Sequence, residues 1–181
     1  MWTPGYKPLL AAFAVVAVFC TVLGLAKYLW RYLEARKSKR SPKTFVVVDG
    51  SNVMHWKDGA PDIDTLRTVV NRLRDKGFTP GVMFDANAGY LLTGKYRHDR
   101  FFSDALGLPQ DQIMVVPKGT PADPMILKFA RDNHAPVVSN DRFRDWAEEF
   151  PDIVAPDHLI TGGYTQGALW LQLPQDSTKP A

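Results

Sequence analysis

Aspartates follow the apolar, β-branched runs of this chain at several points. Asp49 follows TFVVV in the segment DGSN, Asp85 follows VMF, and Asp141 follows VVSN. Asp123 stands before a segment of helical pattern, and Asp145 lies four residues beyond Asp141. Clustered carboxylates repel one another and need a compensating cation. Oxygen ligands suit Mg²⁺ or Mn²⁺, either of which lowers the pKa of a bound water and neutralises charge on a phosphoryl group. These residues therefore favour metal-dependent hydrolysis of phosphodiesters.

Each of these aspartates also has a structural explanation. Asp123 precedes a proline, an ordinary arrangement for capping a helix. Asp141 in the first turn of a helix is favoured by the helix dipole. A like charge four residues later, at Asp145, costs a few tenths of a kcal/mol unless a cation compensates it. Asp85 is either a turn residue or a support for the site, whereas Asp49 has no obvious partner nearby in the sequence.

Strands alternate with helices through the elements that must position these side chains. The predicted strands are 44–49, 81–84, 113–116 and 136–139, and the predicted helices are 62–77, 93–106, 124–133 and one that starts near residue 140. This alternation predicts an α/β fold with three layers, a mostly parallel sheet and right-handed crossovers, Rossmann-like in architecture. Residues 158–173 predict a C-terminal β-hairpin. Ligands bind beyond the carboxyl ends of parallel strands, so we expect the five aspartates and Asn52 along one rim.

The N-terminal segment has the pattern of a membrane anchor. Residues 8–26 are 19 residues without a charge, nearly enough to span a bilayer core. We predict a transmembrane anchor over residues 1–30 and a basic juxtamembrane tether over residues 31–43. A cleaved signal peptide is the alternative, but its basic flank normally precedes the apolar region, and here it follows. The positive-inside rule then places residues 31–181 in the cytoplasm, with the protein single-pass in an inner or plasma membrane.

The charge is distributed unevenly along the chain. Residues 1–40 carry seven Lys and Arg against one Glu, a net charge of +6. Residues 41–181 carry 15 Lys and Arg against 18 Asp and Glu, a net charge of −3. The folded domain is therefore mildly acidic, and any contact with RNA must be local. The only cysteine, Cys20, excludes a disulfide framework or a cysteine-based zinc site within one chain.

Three segments together resemble a known nuclease family. VVVDGSNVMH, VVPKGTPADPMILKFA and APVVSNDRFRDW are similar to the NYN domain of regnase-like endoribonucleases, in the PIN-like superfamily, over residues 44–173. The resemblance implies a PIN-like fold, an RNA substrate (single-stranded by our expectation) and products with 5′-phosphate and 3′-hydroxyl ends. It also implies an Mg²⁺ site built by Asp49, Asn52, Asp123, Asp141 and Asp145, of which we expect the four aspartates to be the metal ligands.

One position departs from that family pattern. The chain has Ala122 where regnase-like proteins have the first of two adjacent aspartates, so we expect weaker metal binding or a shifted metal. The CCCH zinc finger of the eukaryotic members has no counterpart, because its cysteines are absent from this chain.

Other polar and aromatic residues have expected supporting roles. The possible supports of the acidic site are Asp85, Ser51, Ser139 and Asn140, and the possible phosphate-binding residues are Lys118, Arg142 and Arg144. Solvated surface charge explains the three cations equally well. Tyr90, Tyr96, Phe101 and Phe102 could stack on single-stranded bases, although such aromatics are more often core. Among the histidines only His55, close behind DGSN, lies near enough in sequence to reach the site.

Two other functions fit the same residues. The first is an Asp-dependent phosphatase with Asp49 as nucleophile, although such enzymes usually have a second aspartate where this chain has Ser51. The second is a catalytically degenerate domain that binds RNA or a partner, with Ala122 as the sign of decay. We further expect residues 174–181 to be disordered, and the oligomeric state, a homodimer included, stays open.

Overall fold

The structure is a computed structural model that describes Lys27, residues 44–155 and residues 157–173. The chain divides into two compact units, Met1–Pro42 and Lys43–Ala181, and all elements given below belong to the second. The predicted anchor, apart from Lys27, and the predicted tether and tail lie outside the described residues. Within the described part of the chain, no helix has the length and apolar character needed to cross a membrane.

Five parallel strands form the central sheet. They are β1 (Thr44–Asp49), β2 (Phe78–Phe84), β3 (Ile113–Val115), β4 (Val137–Val138) and β5 (Leu159–Ile160), in the order β3-β2-β1-β4-β5. The chain moves outward from β1 to β3 and then returns to the other side of β1. The order therefore reverses between β1 and β4, where open α/β sheets bind their ligands. The predicted mostly parallel sheet is confirmed.

Helices cover both faces of this sheet. They are α1 (Gly50–Val53), α2 (Ile63–Asp75), α3 (Ala88–Thr93), α4 (Asp99–Leu106) and α5 (Asp123–Asn133). Buried side chains of α2 and α4 pack with Val46 and Val48 in one apolar cluster, whereas those of α5 pack with Val47 in another. Successive side chains of β1 thus point into different cores, which explains why TFVVV is continuously apolar.

Two predicted helices differ from those in the structure. The predicted helix 93–106 is two helices, because Gly94 takes a left-handed conformation with φ 71° and ends α3. The predicted helix near residue 140 is wrong, since the structure has only a 3₁₀ turn at Arg144–Trp146. Asp141 Oδ1 accepts the N–H of Phe143, and Phe143 itself is left-handed with φ 48°, so the chain turns instead of continuing as a helix.

The C-terminal hairpin is confirmed. Strands β6 (Gly162–Thr165) and β7 (Ala168–Leu171) pair antiparallel. Their two-residue turn, Gln166 and Gly167, has φ of 51° and 78°, as a type I′ hairpin turn requires. The apolar side chains of β7 pack against the first core cluster, so the hairpin is attached to the domain.

Candidate active site

The carboxylate of Asp49 lies at the carboxyl end of β1 and is 6% exposed. Its Oδ1 accepts the backbone N–H of Asn52 at 3.0 Å, which caps the short helix α1. Its Oδ2 accepts the hydroxyl of Ser139, just after β4, at 2.9 Å. Both oxygens are therefore held by neighbours, one local and one from the adjacent strand.

The pKa of Asp49 reflects this position. Burial raises it to about 6, the hydrogen bonds from Asn52 and Ser139 oppose the rise, and the charges of Asp123 and Asp85 add to it. Like charges affect each other in this way only at short range. Residues from β1, from the end of β2 and from the start of α5 therefore share one electrostatic neighbourhood.

Asp123 links this buried carboxylate to the more exposed acids. Burial raises its pKa, the charges of Asp141, Asp85 and Asp145 raise it further, and a hydrogen bond from Trp146 lowers it. The five aspartates selected from the sequence thus converge on one rim. The sequence predicted Asp145 one helical turn beyond Asp141, and this is wrong. The intervening chain makes the turn in which Asp141 accepts the N–H of Phe143.

The convergence stops short of a closed metal cage. Among residues 44–155 and 157–173, no three His, Cys, Asp or Glu side chains stand close enough to enclose an ion. Mg²⁺ commonly keeps several waters and uses only one or two protein carboxylates. The donor set is made of oxygens, and burial above all, with neighbouring carboxylates adding to it, raises the pKa of Asp49 and of Asp123. Both features fit a hard divalent cation held partly through water.

A cleft of about 500 Å³ opens beside these acids. It is lined by Asn52, Asn140, Asp141, Arg142, Arg144 and Asp145. Both arginines are exposed, and the ion pairs formed within the described part of the chain involve other residues. Cations without an acidic partner in a cleft are available to a phosphate. Lys118, exposed in the loop after β3, is not among the lining residues.

Hydrogen bonds connect the loops that carry the acids. Ser51 Oγ accepts the backbone N–H of Asp85 at 2.8 Å and so joins the ends of β1 and β2. Ser139 Oγ accepts the N–H of Asp141 at 3.0 Å. The side chain of Asn140 pairs with both backbone groups of Gly162, at 2.8 and 3.1 Å. The hairpin is thereby joined to the rim.

The aromatic residues considered for base stacking divide into two groups. Phe102 is fully buried and stacks on Phe84 with centroids 3.9 Å apart, so it belongs to the core. Phe101 packs against that core beneath the guanidinium of Arg97. Tyr90 and Tyr96 are exposed, with centroids 6.4 Å apart. Only the two tyrosines are available to a base.

Four other residues near the rim have contacts that bear on the predicted site. His55 Nδ1 is hydrogen-bonded to the carbonyl of Gly59, a contact within its own turn. Ala122 is 3% exposed and packs in the second core cluster, so the position that carries an aspartate in regnase-like proteins is apolar and buried here. Trp56 donates its indole N–H to Asn52, and Trp146 forms a hydrogen bond with Asp123. The sequence analysis predicted neither tryptophan as part of the site. The spacing of Trp56, four residues after Asn52, was the available signal for the first.

Comparisons with known proteins agree with this geometry. Residues 42–169 match the family model described as the Zc3h12a-like Ribonuclease NYN domain. No curated protein gives a match.

Two solved chains of the nuclear proteinaceous (protein-only) RNase P 2, PRORP2, of Arabidopsis thaliana share the fold. One is 18% identical with a TM-score of 0.57, over 80% of this chain and 32% of that chain. The other is 19% identical with a TM-score of 0.56, over 96% of this chain and 38% of that chain. This chain thus spans about a third of the length of those proteins. The family match covers more than half of the chain, which therefore belongs to the Zc3h12a-like ribonuclease NYN domain family.

Proposed function

We propose that this chain is an endoribonuclease that hydrolyses phosphodiester bonds of single-stranded RNA with Mg²⁺ or Mn²⁺. The observation that carries the proposal is the electrostatic convergence of Asp49, Asp85, Asp123, Asp141 and Asp145 at the carboxyl ends of the strands. Membership of a ribonuclease family supports RNA as the substrate class. The oxygen-only donors support a hard cation.

The residues of the chain have separable tasks in this proposal. Asp49, Asp123, Asp141 and Asp145 would hold the ion partly through water, and the ion would supply a water of lowered pKa and neutralise charge developing on the phosphoryl group. Ser139 and the N–H of Asn52 keep the carboxylate of Asp49 in place. The Phe143 N–H holds Asp141 in the same manner.

Substrate binding is assigned to the cleft. Arg142 and Arg144 would bind phosphates that flank the scissile bond, since they line the cleft beside Asp141. The domain is otherwise mildly acidic, so this local pair is the positive charge that an RNA strand meets next to the acids. RNA binding is therefore expected to weaken moderately as salt rises, with a log–log slope of about −1.4 for two neutralised phosphates of a single strand.

The test compares the purified full chain with two variants in the same detergent. The wild type should cut a labelled single-stranded oligoribonucleotide when Mg²⁺ or Mn²⁺ is present, and Asp49→Asn and Asp141→Asn should each lose at least about 100-fold in rate. Asp111→Asn, an exposed aspartate in the turn before β3, is the matched control and should cut normally. Equal cleavage by all four proteins would reject the assigned site.

Metal binding has a readout that does not need activity. Mn²⁺ should raise the thermal midpoint of the wild type and EDTA should reverse the rise, because a ligand that binds only the folded state stabilises it. Asp49→Asn should show a smaller rise. An identical rise in both proteins would place the ion elsewhere.

A degenerate, RNA-binding domain is the second candidate. The buried Ala122, where regnase-like proteins have an aspartate, favours it. The wild type would then bind the oligoribonucleotide and leave it intact with either metal. An Asp-dependent phosphatase would instead hydrolyse p-nitrophenyl phosphate and leave RNA uncut.

Membrane attachment is part of the same proposal. The uncharged residues 8–26 and the basic residues that follow them support a single-pass anchor with the nuclease domain in the cytoplasm. Tethering would confine cleavage to transcripts near the membrane. Deletion of residues 1–30 should release the protein from the membrane fraction and alter the set of cleaved transcripts, and an unchanged distribution and set would contradict this.

A further inference from the structure

The side-chain amide of Asn52 has a defined orientation. Its Oδ1 accepts the indole N–H of Trp56 at 2.8 Å and the backbone N–H of Asn140 at 3.0 Å. Both partners can only donate, so the atom facing them must be the oxygen and not the nitrogen. A carbonyl oxygen has two lone pairs, and both are used. Oδ1 of Asn52 is therefore poorly suited to bind a cation as well.

The nitrogen of the same amide is the group left for a ligand. Within residues 44–155 and 157–173, the side-chain hydrogen bonds of Asn52 involve Oδ1 and not Nδ2. Asn52 lines the cleft together with Arg142 and Arg144. An NH₂ group cannot bind a metal ion, but it donates to the anionic oxygen of a phosphate.

We infer that Asn52 binds a non-bridging phosphate oxygen of the RNA through Nδ2 and is not a metal ligand. We infer also that Trp56 is a positioning residue that holds the amide in this orientation. The identity of the ligand as RNA rests on the proposed function. The orientation of the amide rests on the two hydrogen bonds alone.

The hairpin supplies the support for this arrangement. A Cβ on Gly162 would stand 2.4 Å from Cζ3 of Trp56, so the indole packs directly on the glycine backbone. The side chain of Asn140 is tied to the same glycine by two hydrogen bonds. Both donors to Asn52 therefore depend on Gly162. Loss of the Trp56 N–H would leave the Asn52 amide with one donor, the N–H of Asn140. The amide could then rotate so that Oδ1 and Nδ2 exchange places.

The first test separates a donor from a metal ligand. Asn52→Asp keeps oxygen acceptors for Trp56 and Asn140 and replaces the NH₂ group by oxygen. With the full chain in Ca²⁺, we expect at least a roughly tenfold loss of affinity for a fluorescent single-stranded oligoribonucleotide, measured by anisotropy, and a matching rise in KM. If Asn52 were a metal ligand, the aspartate would bind Mn²⁺ more tightly and keep its RNA affinity, which would overturn the inference.

A neutral phosphate checks that the loss is due to the missing donor and not to added charge. Methylphosphonate linkages, scanned along the oligonucleotide, should weaken wild-type binding at each linkage that the protein contacts, those bound by Arg142 and Arg144 included. In Asn52→Ala, which adds no charge, the penalty should vanish at one of these linkages and persist at the others. A penalty that stays the same at every position would overturn the phosphate contact.

Trp56→Phe tests the positioning role against a matched control. The phenylalanine retains an aromatic ring without the N–H, and we expect RNA affinity to fall while the thermal midpoint changes little. Trp170→Phe, on the exposed face of the hairpin, should bind normally. Equal affinities of the two variants would refute a role for Trp56.

An NMR measurement keeps the inference testable if RNA is not cleaved. Asn52→Ala should shift the Trp56 indole and Asn140 backbone N–H signals and speed their exchange with solvent. Unchanged signals would refute the arrangement. Weakened RNA binding in the Asn52 variants of a protein that does not cut would reject the proposed catalysis and uphold the phosphate contact.

Discussion

The hydroxyl of Ser139 donates to Oδ2 of Asp49 over 2.9 Å, although 90 residues separate the two along the chain. The hydroxyl oxygen of Ser139 itself accepts the backbone N–H of Asp141 at 3.0 Å. One hydroxyl thus connects the acid at the end of β1 with the acid after β4. These strands are neighbours at the point where the strand order reverses, so the contact follows from the topology of the sheet.

Removal of that hydroxyl should raise the pKa of Asp49 further. The hydrogen bond from Ser139 lowers the pKa, so Ser139→Ala should move it above about 6. A hydrogen bond to a charged group contributes about 1.5–3 kcal/mol, which corresponds to a shift of about one to two pH units. The carboxyl ¹³C signal of Asp49, followed against pH in EDTA, measures it. Ser103→Ala, which loses a bond to the carbonyl of Leu108, is the control and should leave the titration unchanged.

The stability of the metal-free protein should depend on Asp49. Its folded-state pKa of about 6 exceeds the ordinary value of an aspartate, 3.8, so the folded state binds the proton more tightly. Stability should therefore fall as pH rises between about 4 and 6, and by pH 7.5 the cost is about 3 kcal/mol. Urea unfolding in EDTA should show that Asp49→Asn is more stable than the wild type at pH 7.5 and similar at pH 4. A less stable variant at pH 7.5 would contradict the burial of an uncompensated charge.

The glycine of DGSN is required by packing. A Cβ on Gly50 would stand 2.6 Å from the ring of Phe84, which is fully buried and stacked on Phe102. Gly50→Ala should cost about 1–3 kcal/mol in the free energy of unfolding, as overpacking generally does. Gly81→Ala is the matched control, because no atom lies within 4 Å of a Cβ built there. Equal effects in urea unfolding would show that the Phe84 ring moves aside without cost.

The capping of α2 should be measurable in the same way. Asp62 accepts the N–H of Asp64, the N–H of Thr65 and the Thr65 hydroxyl, and the Thr65 hydroxyl is the largest influence that lowers the pKa of Asp62. Asp62→Ala should cost about 1 kcal/mol at pH 7, and Asp62→Asn much less. Because the folded-state pKa is lowered, the ionised cap stabilises above the unfolded pKa, and its contribution is lost as pH falls through the folded pKa. A cost that does not change on acidification would refute the charged cap.

Local patterns predicted much of the fold and the position of the acids. The β-branched run 44–49 and the C-terminal hairpin depend on neighbours a few residues away, so they can be predicted along the chain. The alternation of strands and helices implied a parallel sheet, and the acids at the strand ends were expected on one rim for that reason. The helix predicted to start near residue 140 is not formed. The hydrogen bond from the Phe143 N–H to Asp141 turns the chain there, and this local contact outweighs the helical spacing of the apolar residues that follow.

The sequence by itself determined the α/β class, the acidic rim and the membership of a nuclease family. Only the tertiary structure decided which atom of the Asn52 amide accepts the N–H of Asn140, which hydroxyl holds Asp49, and that Ala122 is a core residue. The physical reason is the range of the interactions. Periodicity and capping act over three or four residues, whereas the partners of Asn52 and Asp49 lie 88 and 90 residues away and meet only when β1 and β4 pair in register.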